Sequence, residues 1–313
     1  MEHRTLGKTG IEVSEVGFGC WQLGNDTDWG GMDDRTAHDL VHEAIDLGVN
    51  LFDTSPNYGS TNSERLLGES LRGRRNDVVL VSKFGRTADD VRDFSIDRFE
   101  TGLEESLRRL RTDYLDVFLL HNPDAALYQT TEPLWDALDR AAARGKIRHY
   151  GASLDRASEI EKCLGQTEST VLEILFNALH QGARRAFPLV RSRGSGAIVK
   201  VPLDSGWLTG RFDAASRFDG IRSRWTSEEI AERAGLVDQL DWLTSGGETL
   251  ATRALQYVLS YDEVSCVIPG MRSREQLHAN VGAVGGRLNP EERARLEAFW
   301  DAFTDGGTNL LPW

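Results

Sequence analysis

Leu115-Asp116-Val117-Phe118-Leu119-Leu120-His121 is an almost continuous apolar run closed by an imidazole. Its length and near-absence of polar residues suit a strand covered on both faces, as in a parallel sheet. Working outward, seven more short strand candidates accompany it: Val16 to Gly19, Val49 to Asp53, Val78 to Ser82, Arg148 to Ala152, Thr170 to Phe176, Ala197 to Val201 and Val264 to Ile268. Amphipathic helical patterns separate them, at Asp34 to Leu47, Ser63 to Leu71, Ser95 to Leu110, Glu132 to Arg144, Arg156 to Leu164, Arg184 to Arg193, Ser227 to Ser245 and Leu250 to Ser260. Strict alternation of strand and helix is the mark of βαβ units, and eight strands in one chain predict an α/β fold of the closed (β/α)8 TIM barrel type. Ahead of the first strand, Arg4 to Leu6 and Ile11 to Val13 flank Gly7-Lys8-Thr9-Gly10 and predict an N-terminal β-hairpin capping the barrel floor. Residues 1–313 read as one domain, with no repeat or low-complexity linker.

The chain carries a formal charge of -13, which opposes binding to nucleic acid or an anionic membrane surface. Cys20, Cys163 and Cys266 are far apart, without the spacing of a disulfide framework or a zinc site, so no metal is expected. The amino terminus lacks an apolar leader and no long apolar span follows, which predicts a cytoplasmic protein. A small molecule is the expected partner; oligomeric state is not legible.

Barrel active sites are assembled at the carboxyl ends of the strands. Asp53, Lys83 and His121 each close an apolar run, and Tyr58 follows Asp53 in the loop Thr54-Ser55-Pro56-Asn57-Tyr58-Gly59. Taken singly, each has an ordinary explanation: a helix cap, a solvated charge, a core imidazole, a packing ring. Together they must arrive at one rim, where a buried charge needs a partner. A carboxylate, a phenol, an ammonium and an imidazole suit proton transfer to a carbonyl oxygen becoming an alkoxide. Free tyrosine titrates near about 10, so an ammonium from Lys83, held by Asp53, would bring the phenol closer to neutrality. His121 would either donate a hydrogen bond to the carbonyl oxygen or relay a proton.

With these residues in hand, the chain resembles the aldo-keto reductase superfamily over essentially its whole length. The resemblance rests on Gly17-Phe18-Gly19-Cys20-Trp21-Gln22-Leu23-Gly24, Phe52-Asp53-Thr54-Ser55-Pro56-Asn57-Tyr58-Gly59 with Ser63-Glu64, Val81-Ser82-Lys83, Leu115 to His121, and Gly145-Lys146-Ile147-Arg148-His149-Tyr150-Gly151-Ala152-Ser153. It implies an NAD(P)H-dependent oxidoreductase that moves a hydride between cofactor and carbonyl. Asp53, Tyr58, Lys83 and His121 would be the catalytic tetrad, with Tyr58 as general acid in reduction and general base in oxidation. The cofactor would lie extended across the barrel mouth, without a Rossmann fingerprint.

Further cofactor contacts are implied at Gly19, Cys20 and Trp21, at Ser153 and Asn177 for the carboxamide, and at Phe176 as the ring stacked on nicotinamide. Two positions depart from the family: Leu154 replaces an asparagine, and Glu173 replaces a glutamine near the carboxamide. A carboxylate cannot donate to the carboxamide oxygen unless it is protonated. The loop Val201-Pro202-Leu203-Asp204-Ser205-Gly206-Trp207-Leu208-Thr209-Gly210 would cover the pyrophosphate, with Val201, Pro202, Leu203, Ser205, Gly206 and Leu208 in contact. Ile268, Gly270, Met271, Arg272, Arg274, Gln276 and Asn280 would form the adenosine end, and the two arginines favour NADP(H) over NAD(H). Gln276 stands where many members carry a phosphate-binding arginine.

Trp21, Trp29 and Trp225 are expected to wall the substrate pocket, with Arg211 to Thr226 and the tail from Asp305 to Trp313 as mobile covers. Two other readings compete: a non-catalytic nicotinamide-binding regulator on the same barrel, and a metal-dependent hydrolase, which lacks the expected histidine clusters.

Overall fold

The computed structural model describes residues 1–128 and 133–312. An antiparallel hairpin comes first, β1 (His3–Thr5) against β2 (Glu12–Ser14), turned by a 3-10 segment at Gly7–Thr9. Eight parallel strands follow: β3 (Phe18–Gly19), β4 (Leu51–Asp53), β5 (Val79–Phe84), β6 (Leu115–His121), β7 (Ile147–Leu154), β8 (Val171–Leu175), β9 (Gly196–Lys200) and β10 (Val264–Ile268). They pair in chain order, and the barrel closes through bridges from Val16 to Val267 and from Gly19 to Gly270. Glycine is needed at this seam. A Cβ on Gly19 would stand 2.6 Å from the carbonyl oxygen of Ile268.

Helices lie between the strands: α1 (Asp34–Asp46), α2 (Asn62–Ser70), α3 (Ile96–Leu110), α4 (Pro133–Ala143), α5 (Ala157–Gln166), α6 (Phe187–Arg193), α7 (Ser227–Asp238) and α8 (Leu250–Leu259), then α9 (Arg274–Val281) and α10 (Pro290–Phe303). Of the helix expected from Glu132 to Arg144, Glu132 lies outside the described residues. The segment from Arg184 opens as a 3-10 turn and becomes α-helical only at Phe187, where Pro188 sits in the first turn and its missing N–H leaves no bond unmade. The pattern from Ser227 to Ser245 divides, with a 3-10 turn at Asp241–Thr244 after α7. Helix α10 was not among the expected elements. Its signal is a reciprocal cap, in which Asn289 accepts from Glu292 N–H and Glu292 accepts from Asn289 N–H.

Side chains alternate in and out along each strand. On β6, Phe118 and Leu120 face the helices, whereas Val117 and Leu119 join Leu51, Val81, Val171, Ile198 and Ile268 inside the barrel. Leu6 and Val13 of the hairpin belong to this inner cluster and plug the floor. The same parity sends the next residue toward the carboxyl end inward, namely Asp53, Lys83, His121, Ser153, Glu173 and Lys200. The apolar core therefore supports a polar layer directly above it.

Strands β7 and β8 bear two of these residues and approach closely at Gly151, where a Cβ would collide with the carbonyl oxygen of Val171. Gly151→Ala is expected to cost about 1–3 kcal/mol by forcing the strands apart. Urea unfolding would show this as a lower midpoint at unchanged slope. Among the described residues, no helix is long and apolar enough to cross a membrane.

Candidate active site

Lys83 lies at the centre of the polar layer and is fully buried. Its Nζ donates to Asp53 Oδ1 at 2.5 Å, to the Thr54 carbonyl at 3.2 Å and to Tyr58 Oη at 3.4 Å. A second carboxylate faces it, with Glu173 Oε2 3.1 Å away. The four residues expected to act together thus meet at one place, His121 standing edge-on to Tyr58 with ring centroids 6.0 Å apart. Asp53, Tyr58, His121 and Glu173 line a cavity of about 880 Å³ at the barrel mouth, with Lys83 immediately behind the phenol.

Burial raises the Tyr58 phenol well above its ordinary value, and the neighbouring ammonium only offsets part of that. The expectation that Lys83 would bring the phenol closer to neutrality is therefore corrected: the ammonium does favour the phenolate, but burial outweighs it. The phenol stays protonated at neutral pH, the form a proton donor requires. For Lys83, burial alone would lower the pKa, but Asp53 and Glu173 outweigh it and hold the ammonium charged. Burial, helped by the Lys83 and Lys200 ammonium groups, pushes His121 well below the usual histidine value and keeps it neutral.

The tautomer of His121 follows from its neighbours. Asn57 Nδ2 donates to Asp90 at 3.0 Å, which turns Asn57 Oδ1 toward Ser55 and lets it accept the Ser55 hydroxyl proton at 2.6 Å. With that proton committed, Ser55 Oγ can only accept from His121 Nδ1, 3.1 Å away. The network therefore assigns the hydrogen to Nδ1 and a lone pair to Nε2.

The cavity wall also includes Gly19, Trp21, Trp29, Val201, Pro202, Leu203, Ser205, Gly206, Ile268, Gly270, Arg272, Gln276 and Asn280. Trp21 stacks beside Tyr58 at 6.0 Å and Trp29 meets Trp21 edge-on at 5.2 Å, so two of the three expected pocket tryptophans line the cavity. Trp225 does not join them; it packs against Trp207 and Phe218. Phe176 is likewise off the cavity, buried among Phe187, Tyr257 and Tyr261. It lies just past the end of β8 and has the parity opposite to the inward-facing Glu173.

Cys20, Leu208 and Met271 are buried behind the wall. Asn177 ties its own loop, accepting from Leu179 and His180 N–H and donating to the Val201 carbonyl at 2.9 Å. Arg274 turns outward to Glu43, and Gln276 accepts from the Arg272 N–H at 2.8 Å. Ser63 and Glu64 are structural ties: Ser63 donates to the Cys20 carbonyl, and Glu64 binds Ser82 and Arg109.

The expected cover at Arg211 to Thr226 is packed rather than loose. Phe212 and Phe218 close around Trp207, and Arg222 Nε donates to the Ser205 carbonyl at 2.7 Å. Arg222 lies over the Trp29 ring at 4.7 Å. Burial, together with Arg211, Arg224 and Arg272, lowers its pKa to about 10. It remains a cation, placed among other cations, beside the left-handed backbone of Val201, Asp204 and Ser205. The positive potential there suits a pyrophosphate. Of the tail, Trp313 lies outside the described residues, while Leu311 is buried and Arg233 donates to the Pro312 carbonyl.

Sequence reasoning overlooked Lys200. It closes β9 as Lys83 closes β5, after the apolar run Ala197-Ile198-Val199, and that shared pattern was the available signal. Its Nζ donates to Ser153 Oγ at 2.8 Å and Asn122 Oδ1 at 2.9 Å and pairs with Asp155 at 2.9 Å. Ser153 in turn donates to Glu173 Oε1 at 2.9 Å.

The family model described as "Aldo/keto reductase family" matches residues 15–301. The chain is similar to L-galactose dehydrogenase of Arabidopsis thaliana, 32% identical over 91% of this chain and 88% of that protein. It is similar to the NADH-specific methylglyoxal reductase of Escherichia coli, 26% identical over 96% and 99%. Among solved structures it resembles the holo form of an aldo-keto reductase from Bacillus halodurans, with a TM-score of 0.80, 29% identity and 96% of each chain covered.

Proposed function

Given that the chain belongs to the aldo/keto reductase family and is an NAD(P)H-dependent oxidoreductase, we propose that it reduces the carbonyl of a small aldehyde or ketone, with Tyr58 as proton donor. The observation that carries this reading is the contact of a buried phenol with a buried ammonium at the wall of a large cavity. The cavity fits a nicotinamide cofactor: it runs from Tyr58 past the cationic loop at Ser205 and Arg222 to the helix start at Arg272. Ser153 and Glu173 would hold the nicotinamide end, Ser205, Gly206 and Arg222 the pyrophosphate, and Arg272 the adenosine phosphate. When bound, the reduced nicotinamide supplies a hydride to the carbonyl carbon.

Tyr58 Oη gives its proton to the carbonyl oxygen as negative charge develops there. The Lys83 ammonium stabilises the phenolate left behind, and Asp53 holds the ammonium in line. In the oxidative direction the same phenolate takes the alcohol proton. His121 Nε2 offers a lone pair, so it orients substrate by accepting from a hydroxyl beside the reacting carbon, which favours hydroxylated carbonyl compounds. Trp21 and Trp29 exclude water around the phenol.

A screen of NADPH and NADH oxidation against short aldehydes, sugar aldehydes and ketones tests the reading. Tight cofactor binding without turnover across the whole panel would instead support the regulatory alternative. We further propose NADPH as the preferred cofactor, because Arg272 is a cavity cation whose visible bonds go to the neutral carbonyls of Gly30 and Gly31. Arg272→Ala is expected to weaken NADPH binding roughly tenfold while leaving NADH nearly unaffected, as loss of a charge-assisted bond predicts. Fluorescence titration with both cofactors reads the difference, and equal weakening of the two would remove the basis for that preference.

A further inference from the structure

Glu173 stands outside the tetrad, yet this carboxylate is fully buried and paired with the central ammonium. Its outer oxygen is satisfied by Ser153, whose hydroxyl is fixed in that direction because its lone pair already receives Lys200. Its inner oxygen, Oε2, lies 3.1 Å from Lys83 Nζ without forming a hydrogen bond. Asp53 is arranged in the same way: Oδ1 accepts from Lys83, while Oδ2 is buried with no hydrogen-bond partner. The two carboxyl groups thus meet on one ammonium, and each keeps one buried oxygen without a hydrogen-bond partner.

Charge balance around the pair points the same way. Tyr58 and the thiols of Cys20 and Cys266 are driven toward their neutral forms by burial, and His121 is neutral. Lys200 is matched by Asp155. Lys83 is then the one ammonium, among the described residues, set directly between two buried carboxylates. Two such charges on a single cation, all shielded from water, are costly, and one shared proton removes the excess.

We propose that Asp53 and Glu173 hold one proton between their inner oxygens, Glu173 being a positioning residue that keeps the Lys83 centre neutral and acts through it on Tyr58. The proton belongs to the pair. While it is present, the centre carries one positive and one negative charge. When it leaves to solvent at higher pH, an extra negative charge faces the phenol and the nicotinamide subsite. That charge opposes phenolate formation and favours an oxidised, positively charged ring over a reduced, neutral one. This last consequence rests on the cofactor and Tyr58 roles proposed above; the shared proton itself does not.

Infrared difference spectroscopy on the cofactor-free protein, titrated in heavy water, reads the proton directly. Wild type is expected to show the carbonyl stretch of a protonated carboxyl at neutral pH. Glu173→Gln and Asp53→Asn should each abolish it, since the remaining carboxylate then pairs alone with Lys83, and Glu173→Asp should restore it at a shifted frequency. Tyr58→Phe should retain the band, which separates this proposal from the assignment of the proton donor. No band in wild type, or a band that survives in both single variants, overturns the shared proton. A second readout needs no turnover. The ratio of the NADP+ to the NADPH dissociation constant is expected to fall about tenfold as wild type passes through the ionisation, and to stay flat in Glu173→Gln. A ratio with the same pH dependence in both proteins would remove Glu173 from any electrostatic role.

Discussion

Tyr58→Phe is expected to lower kcat/KM for carbonyl reduction by roughly 10²–10⁴-fold, the usual contribution of a positioned general acid, while the NADPH dissociation constant stays nearly unchanged. The ring would remain in place, stacked beside Trp21 and edge-on to His121, so packing survives and only the proton is lost. Steady-state kinetics and a fluorescence titration on the same preparation separate the two effects. A variant that retains wild-type turnover would show that another group supplies the proton.

Lys83→Met is expected to have the largest effect on stability. The methionine fills a similar volume, but the buried Asp53 and Glu173 carboxyl groups lose the ammonium between them. Removing one partner of a buried ion pair costs about 3–5 kcal/mol, because the charge left behind is uncompensated. The sign of the pH dependence follows. In the variant both carboxyl groups have raised folded-state pKa values, whereas in the unfolded chain they ionise near about pH 4. Folding then requires proton uptake above that pH, so the variant loses stability as pH rises and recovers toward wild type in acid. Urea unfolding at acidic and neutral pH checks this, and an equal penalty at both would mean that the lysine stem, not its charge, carries the effect. Activity should fall as well, since the phenolate would lose its counter-charge.

Much of this architecture is legible in the chain because it depends on periodicity. Apolar runs such as Leu115 to Leu120 had to be strands covered on both faces, and their closing residues had to reach one rim. That reasoning places Asp53, Lys83 and His121 together without any knowledge of distance. It fails where parity or burial decides. Phe176 lies just beyond Glu173 and Leu175, yet one step of parity sends it into the aromatic cluster with Phe187 and Tyr261. Trp225 turns away because Trp207 and Phe218 offer it an apolar nest. The direction of the Tyr58 shift is not legible for a different reason: charge type can be read from a sequence, but the desolvation that outweighs it depends on how completely the fold excludes water. Likewise Gln276 and Arg274 look alike as polar residues at a helix start, and only the structure shows one bonded to the Arg272 backbone and the other paired outward with Glu43.

In the proposed reaction a hydride passes from nicotinamide to a carbonyl carbon in the cavity bounded by Tyr58, His121 and Trp21. The most direct measurement is isotope transfer: incubate the protein with NADPH deuterated at the transferring position and a hydroxylated aldehyde, then locate the label in the product by mass spectrometry and proton NMR. One deuterium on the former carbonyl carbon, formed by wild type and suppressed in Tyr58→Phe, is the predicted result. Bound cofactor with no label transferred to any aldehyde or ketone tested, or equal transfer by both proteins, would contradict it.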